Sequence, residues 1–227
     1  MGKTERCVVV GGAPIGCYDW IQGQLRSDDF VVCCDSGLRH LGGLGVKPGL
    51  IVGDFDSHQN PHLPVETIVL PCEKDDTDTV FAVKEAVRRG FTDFLLIGVV
   101  GGRLDHTLGN VSILLYLDGA GLRGVILDDY SEMEIISRRP AYIDDSWAYF
   151  SLLNISGTAR DITIENAKYP LAHAEISCEY QYGVSNEVLP GRQAKVTVGQ
   201  GRLLLVKDRK MGTSQTGECE YGLHLSL

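Results

Sequence analysis

The sequence predicts an α/β fold: an amino-terminal, mostly parallel sheet flanked by helices, followed by a carboxyl-terminal antiparallel β-sandwich. Three observations lead there. Residues 7–128 alternate short apolar strands with helical stretches, the strands are apolar throughout, and beyond Asp129 the helices give way to strands set off by Gly, Pro, Asn and Asp. Continuous apolar strands alternating with helices mean a parallel sheet covered on both faces. Regularly spaced short strands without helices mean an antiparallel sandwich. The expected division is 1–129 and 130–227.

Taken in order, Cys7 to Val10 runs into Gly11-Gly12-Ala13-Pro14, and Phe30 to Cys34 into Asp35-Ser36-Gly37. The first turn lacks the Gly-x-Gly-x-x-Gly order and any Gly-Lys-Ser/Thr, so it reads as a tight turn near a ligand. Leu50-Ile51-Val52, residues 67–70, 94–97 and 125–127 follow as strands. Thr77 to Arg89 sets Val80, Val83 and Val87 on one stripe, with Gly90 as its stop. Leu104 to Leu117 sets Leu104, Leu108, Val111 and Leu115 at helical spacing. In the second half, strands are expected around 134–136, 149–152, 162–164, 195–198 and 203–206, and Met211 to Leu227 as an edge strand or loose tail.

The segment from Gly53 to Asp78 stands out. Asp54, Asp56, Glu66, Glu73, Asp75, Asp76 and Asp78 face a single Lys74, which accounts for most of the chain's formal charge of −9. Two carboxylates about 4 Å apart repel by roughly 4 kcal/mol at an effective dielectric near 20. Each acidic loop alone reads as an Asx turn or a helix cap. Both follow strands, and parallel α/β sheets bind ligands at the carboxyl ends of strands, so the two can meet on one cation. Oxygen-only ligands favour Mg²⁺ or Mn²⁺ over zinc. An EF-hand is excluded, because Gln59 and Val65 stand where it needs Gly and Glu.

A second constellation, Gly101-Gly102-Arg103-Leu104-Asp105-His106, opens the helix that contains Asn110. Paired glycines allow close approach to backbone, the helix start offers free N–H groups, and Arg103 can fork onto a phosphate. Asp105 reads as a helix cap or a ligand, and His106 as a residue behind the site. Metal-holding carboxylates, a basic fork and a polar pocket are the equipment of phosphoryl transfer.

The composition narrows the alternatives. With 227 residues the chain can bury a core unaided. Its acidity offers no footprint for nucleic acid. No apolar run approaches the roughly 20 residues of a membrane span. Seven cysteines, an odd number without Cys-x-x-Cys, read as reduced, buried thiols of a cytoplasmic protein, with a zinc site or catalytic thiol as the lesser alternatives.

Gly-Asp-Phe-Asp-Ser at 53–57, Lys-Asp-Asp-Thr-Asp at 74–78 and Gly-Gly-Arg-Leu-Asp-His-x-x-x-Asn at 101–110 together resemble the thiamine pyrophosphokinases. Lys168-Tyr169-Pro170-Leu171 and Gly183-Val184-Ser185-Asn186-Glu187 resemble that family's carboxyl-terminal domain. The resemblance implies an enzyme that moves diphosphate from ATP to the hydroxyl of thiamine and releases AMP, working as a cytoplasmic homodimer with Mg²⁺. It implies that Asp54, Asp56, Asp75 and Asp78 hold the metal and carry the catalysis. Asp35, Ser57, Lys74, Thr77 and Arg103 would contact the nucleotide phosphates. Asp105, His106, Asn110, Ser185 and Asn186 would line the thiamine pocket, the last two reaching the other subunit's site. After Asp35 the family often shows Gly or Ser and then Gly-Ala-Asn, whereas this chain has Ser36-Gly37-Leu38-Arg39, which leaves the adenosine side open. Tyr182 is the only aromatic suggested for the thiamine ring. The rival readings are a magnesium-dependent nucleotide-sugar transferase or phosphatase, and a non-catalytic thiamine or nucleotide sensor.

Overall fold

A computed structural model describes residues 6–55, 63–71, 73 and 75–210. Six parallel strands form the amino-terminal sheet: β1 (Arg6–Val10), β2 (Phe30–Cys34), β3 (Leu50–Gly53), β4 (Glu66–Val69), β5 (Asp93–Ile97) and β6 (Arg123–Leu127). β1 is buried at every position and β2 and β5 at all but the first, as apolar runs covered on both faces require. Helices α3 (Asp78–Arg88) and α4 (Leu104–Gly119) cover one face, packing Ala82, Val83, Ile113 and Leu117 onto Val9, Val32 and Leu96. The short helices α1 (Tyr18–Gln22) and α2 (Leu41–Leu44) cover the other, with Ile21 and Leu44 against Val8, Val10 and Ile97.

Both long helices lie where the apolar spacing predicts them. Thr77 caps α3, its hydroxyl accepting from the Val80 amide at 3.3 Å, and Gly90 ends it at φ +93°. The 3₁₀ turn Asp35–His40 and helices α1 and α2 were not expected, since each is too short to show a period.

At Asp128 the pairing changes sense. The Asp128 carboxylate accepts from the amides of Tyr130 at 2.8 Å and Ser131 at 2.6 Å, folding β6 back on β7 (Ser131–Ile136) as an antiparallel neighbour. The sheet continues through β14 (Leu203–Arg209), β9 (Trp147–Leu153) and β12 (Gly183–Asn186), giving ten strands in the order β12-β9-β14-β7-β6-β5-β1-β2-β3-β4. Four more strands, β8 (Ala141–Asp144), β10 (Thr158–Glu165), β11 (Leu171–Ser177) and β13 (Gln193–Gln200), form a second antiparallel sheet in the order β11-β10-β13-β8. Phe150, Leu152 and Leu205 from the first sheet pack with Ile162, Ile164, Ile176 and Val196 from the second, which is the sandwich core. Strands β8, β11 and β12 escaped the sequence reading because they are largely exposed, with few β-branched residues.

The tail from Met211 and residues Asp56, Ser57 and Lys74 lie outside the described residues. Among those described, no helix is long and apolar enough to cross a membrane. Cys7, Cys33 and Cys34 are buried free thiols, Cys7 and Cys33 pushed up to about 12 chiefly by burial, whereas free Cys178 is exposed, against the expectation of uniformly buried cysteines.

Candidate active site

The strand order places a crossover beside β1: β2, β3 and β4 extend to one side, and the chain then returns to lay β5 on the other. Loops leaving the carboxyl ends of β1 and β5 must diverge there, and the crevice between them is the usual ligand position in such sheets. The loops approach closely. The Ala13 amide donates to the Gly98 carbonyl at 2.7 Å, and a β-carbon at Gly11 would stand 2.5 Å from that same oxygen. A cleft of about 410 Å³ opens above, lined by Gly12, Ala13 and Pro14, by Ser36 and Arg39, by Thr77 to Thr79, and by Gly101 to Arg103 with His106 and Asn110.

At one side of the cleft three carboxylates converge. One carboxylate oxygen each of Asp35, Asp54 and Asp78 lies within 4.8 Å of the others. The register explains how. Cys34 pairs with Val52, so Asp35 and Gly53 leave adjacent strand ends together. A β-carbon on Gly53 would stand 2.4 Å from that of Asp35, so glycine is what lets Asp35 fold in beside Asp54. Phe55, directly after, adopts the left-handed region at φ +56°, a strained conformation of the kind that collects at functional sites. Asp78 arrives separately, in the first turn of α3, where the helix dipole favours negative charge.

The structure thus joins two halves of the chain's acidic pattern and adds Asp35, expected beside the phosphates, to the carboxylate cluster. Asp75 is exposed and outside that cluster: it precedes the Thr77 cap, on the solvent side of the turn. Asp76 pairs with Lys84 at 2.7 Å.

Arg103 and Asp105 form a two-point ion pair at the exposed rim, with contacts of 3.2 and 2.5 Å. The guanidinium, and the His106 amide after it, hold the Asp105 carboxyl down to about 2. Being exposed, the pair is weak and open to exchange for a substrate anion. Asn110 is buried, and its amide donates to the Val99 carbonyl at 2.8 Å, bracing the floor of the cleft.

Ser185 and Asn186 sit far away, on the edge strand β12. Seven strand intervals separate β12 from β2, on the order of 34 Å at about 4.8 Å each. The Asn186 side chain closes on Tyr169, accepting from its amide at 3.0 Å and donating to its carbonyl at 2.8 Å. Ser185 is exposed, at φ +57°, and its amide donates to the Ser151 hydroxyl at 3.0 Å. Tyr182 stacks obliquely with Tyr180, ring centroids 5.5 Å apart, near this edge. Ser36 and Arg39 stood out from sequence only as a departure from the family pattern, and Thr79 not at all, yet all three line the cleft. What marks them as cleft residues is position alone, directly after the carboxyl end of β2 and in the first turn of α3.

Two sequence models of known families match, "Thiamin pyrophosphokinase, catalytic domain" over residues 21–125 and "Thiamin pyrophosphokinase, vitamin B1 binding domain" over residues 135–203. The chain belongs to the thiamin pyrophosphokinase family. A curated thiamine pyrophosphokinase of Bacillus subtilis (strain 168) is 25% identical over 207 residues, 88% of this chain and 96% of its own. The crystal structure of thiamin pyrophosphokinase from Geobacillus thermodenitrificans superposes with a TM-score of 0.78 at 27% identity, over 91% of this chain and 99% of that one. The yeast enzyme's structure, at 12% identity, shares the fold with a TM-score of 0.72 over 92% of this chain and 87% of its own. With the family comes its activity, transfer of diphosphate from ATP to thiamine.

Proposed function

We propose that the crevice between β1 and β5 is where this chain holds ATP, and that Asp35, Asp54 and Asp78 hold a magnesium ion against the polyphosphate. The observation that carries this is the meeting of three carboxylates within 4.8 Å beside a cleft at the strand crossover. The donor set suits the ion: all three are oxygen donors, and the cluster contains neither cysteine nor histidine. Each pair at that distance repels by roughly 3 kcal/mol at an effective dielectric near 20, which a divalent cation offsets. When bound, the ion supplies charge compensation at the phosphate oxygens.

The chain's own groups do the rest. Arg39 and Arg103 face the cleft and offset negative charge, and the first turn of α3 presents its amides beside Thr77. Asp78 belongs to the carboxylate cluster and also lines the cleft, which favours it as the group nearest the reacting thiamine hydroxyl. Attack at the β-phosphorus in place of the γ-phosphorus is a matter of registration, so these residues act by fixing where the polyphosphate lies. Asp56, Ser57 and Lys74 keep the phosphate and metal roles that the motif resemblance gives them.

On this reading residues 1–129 hold metal and nucleotide and 130–227 supply thiamine contacts and the dimer, with the start of α4 adding to both. Asp105 and His106 meet thiamine at the cleft rim. Ser185 and Asn186 are too distant to serve their own chain's cleft, so their role needs a second copy. Leu104 and Leu108, 71% and 63% exposed on α4 at the rim, form an apolar stripe suited to that copy. The site of action is the cytoplasm.

The test is incubation of the chain with ATP, magnesium and thiamine. AMP and thiamine diphosphate should appear one for one. Release of free phosphate without AMP, or tight thiamine binding without turnover, would sink the assignment.

A further inference from the structure

One wall of the crevice, the Gly12-Ala13-Pro14 turn, has little regular structure of its own, and its shape is set by side chains behind it. The His40 ring is 3% exposed. Its Nε2 lies 2.9 Å from the Ala13 carbonyl oxygen, and its Nδ1 lies 2.7 Å from the Tyr18 hydroxyl. A carbonyl only accepts, so Nε2 carries the proton. The neutral ring then has a bare Nδ1, which accepts from the Tyr18 O–H. Arg39 Nε, 3.4 Å from the same Nε2, is the longer contact and loses that nitrogen to the carbonyl. Burial, and next the Arg39 charge, lower the pKa of His40, which keeps the ring neutral near pH 7. Further along, the two Asp129 carboxylate oxygens accept from the Gly16 amide at 2.8 Å and the Cys17 amide at 2.9 Å. Arg209 of β14 donates to the Asp129 carbonyl at 2.9 Å, tying this anchor to the other half of the chain.

We infer that His40 is a positioning residue: with its tautomer fixed by Tyr18, it acts through the Ala13 carbonyl, together with Asp129 at Gly16 and Cys17, to clamp the β1 turn in the shape that receives the nucleotide. This rests on the crevice being the ATP site. None of Tyr18, His40 and Asp129 lines the cleft, so the clamp acts on nucleotide affinity and leaves thiamine contacts untouched.

Steady-state kinetics with each substrate varied in turn test it, on wild type, His40→Leu, His40→Gln and Tyr18→Phe, alongside thermal melts. His40→Leu should raise the KM for ATP about tenfold while the thiamine KM stays within about twofold, the scale expected when a binding wall shifts by a fraction of an ångström. His40→Gln keeps a donor for the Ala13 carbonyl and should recover most of the loss. Tyr18→Phe should fall between. Equal rises in both KM values, or His40→Gln no better than His40→Leu, overturn the clamp. If His40→Leu does not fold, an unchanged ATP KM in Tyr18→Phe overturns it instead. Asp54→Asn, run in parallel, separates the two ideas. Its loss of turnover leaves the catalytic centre standing when the clamp fails, and its near-normal turnover overturns both.

Discussion

Replacing Asp35 by Asn keeps shape and hydrogen-bonding capacity but removes one of three charges that meet within 4.8 Å. Turnover should drop at least about a hundredfold, the usual scale for losing a charge-stabilising group. Asp75→Asn, at an exposed position outside the cluster, should stay within about fivefold of wild type, as surface charges generally do. Measuring kcat for both at saturating magnesium checks the assignment. Comparable losses in the two variants would move Asp75 back among the ligands. The family motif gave Asp75 to the metal and Asp35 to the phosphates. What brings Asp35 in is the adjacency of β2 and β3 and the missing side chain at Gly53, and neither is visible along the chain.

Among the elements, α3 is tied down by charge at its far end. Glu85 accepts from Arg88 at 2.7 Å and from Arg89 at 2.8 Å, while Arg89 also reaches Glu66 on β4 at 2.9 Å. The guanidinium of Arg88 first, and then that of Arg89, hold the Glu85 carboxyl down to about 2. A depressed carboxyl stabilises the fold fully above its ordinary range near 4.5 and loses that contribution as pH falls toward 2. Glu85→Gln should therefore lower the Tm at pH 7, and its gap from wild type should close by more than half at pH 3. A gap that stays constant between the two pH values would show that the arginines stabilise α3 by packing alone. Elements of this kind, α3 and α4 and the six parallel strands, were legible in sequence because their apolar periods are long or unbroken. The edge strands β11 and β12 were not. Ala-His-Ala-Glu in β11 alternates, but its apolar positions are alanines with little β preference, and its place is set by pairing with Ile162 and Ile164 of β10.

For the whole molecule, the distance from β12 to the carboxylates is the decisive quantity. If Ser185 and Asn186 serve the cleft as proposed, they do so from a second copy, and α4 exposes Leu104 and Leu108 among its polar neighbours Asp105, His106 and Ser112. Leu108→Glu places a charge on that face at a 63% exposed position, so the monomer's own fold should tolerate it. Light scattering at micromolar concentration should find wild type as a dimer and the variant shifted to monomer, with turnover per chain falling in step. A dimeric, active Leu108→Glu would put the interface elsewhere.

The two family regions meet inside a single hydrogen-bonded ladder, with β6 and β7 as neighbouring rungs. Neither half can be exchanged for a foreign counterpart without also matching this seam, since a severed β6 would present Val125, Ile126 and Leu127 on a raw, self-adhesive edge. A change of pitch or twist in either region is therefore handed across this seam to the other.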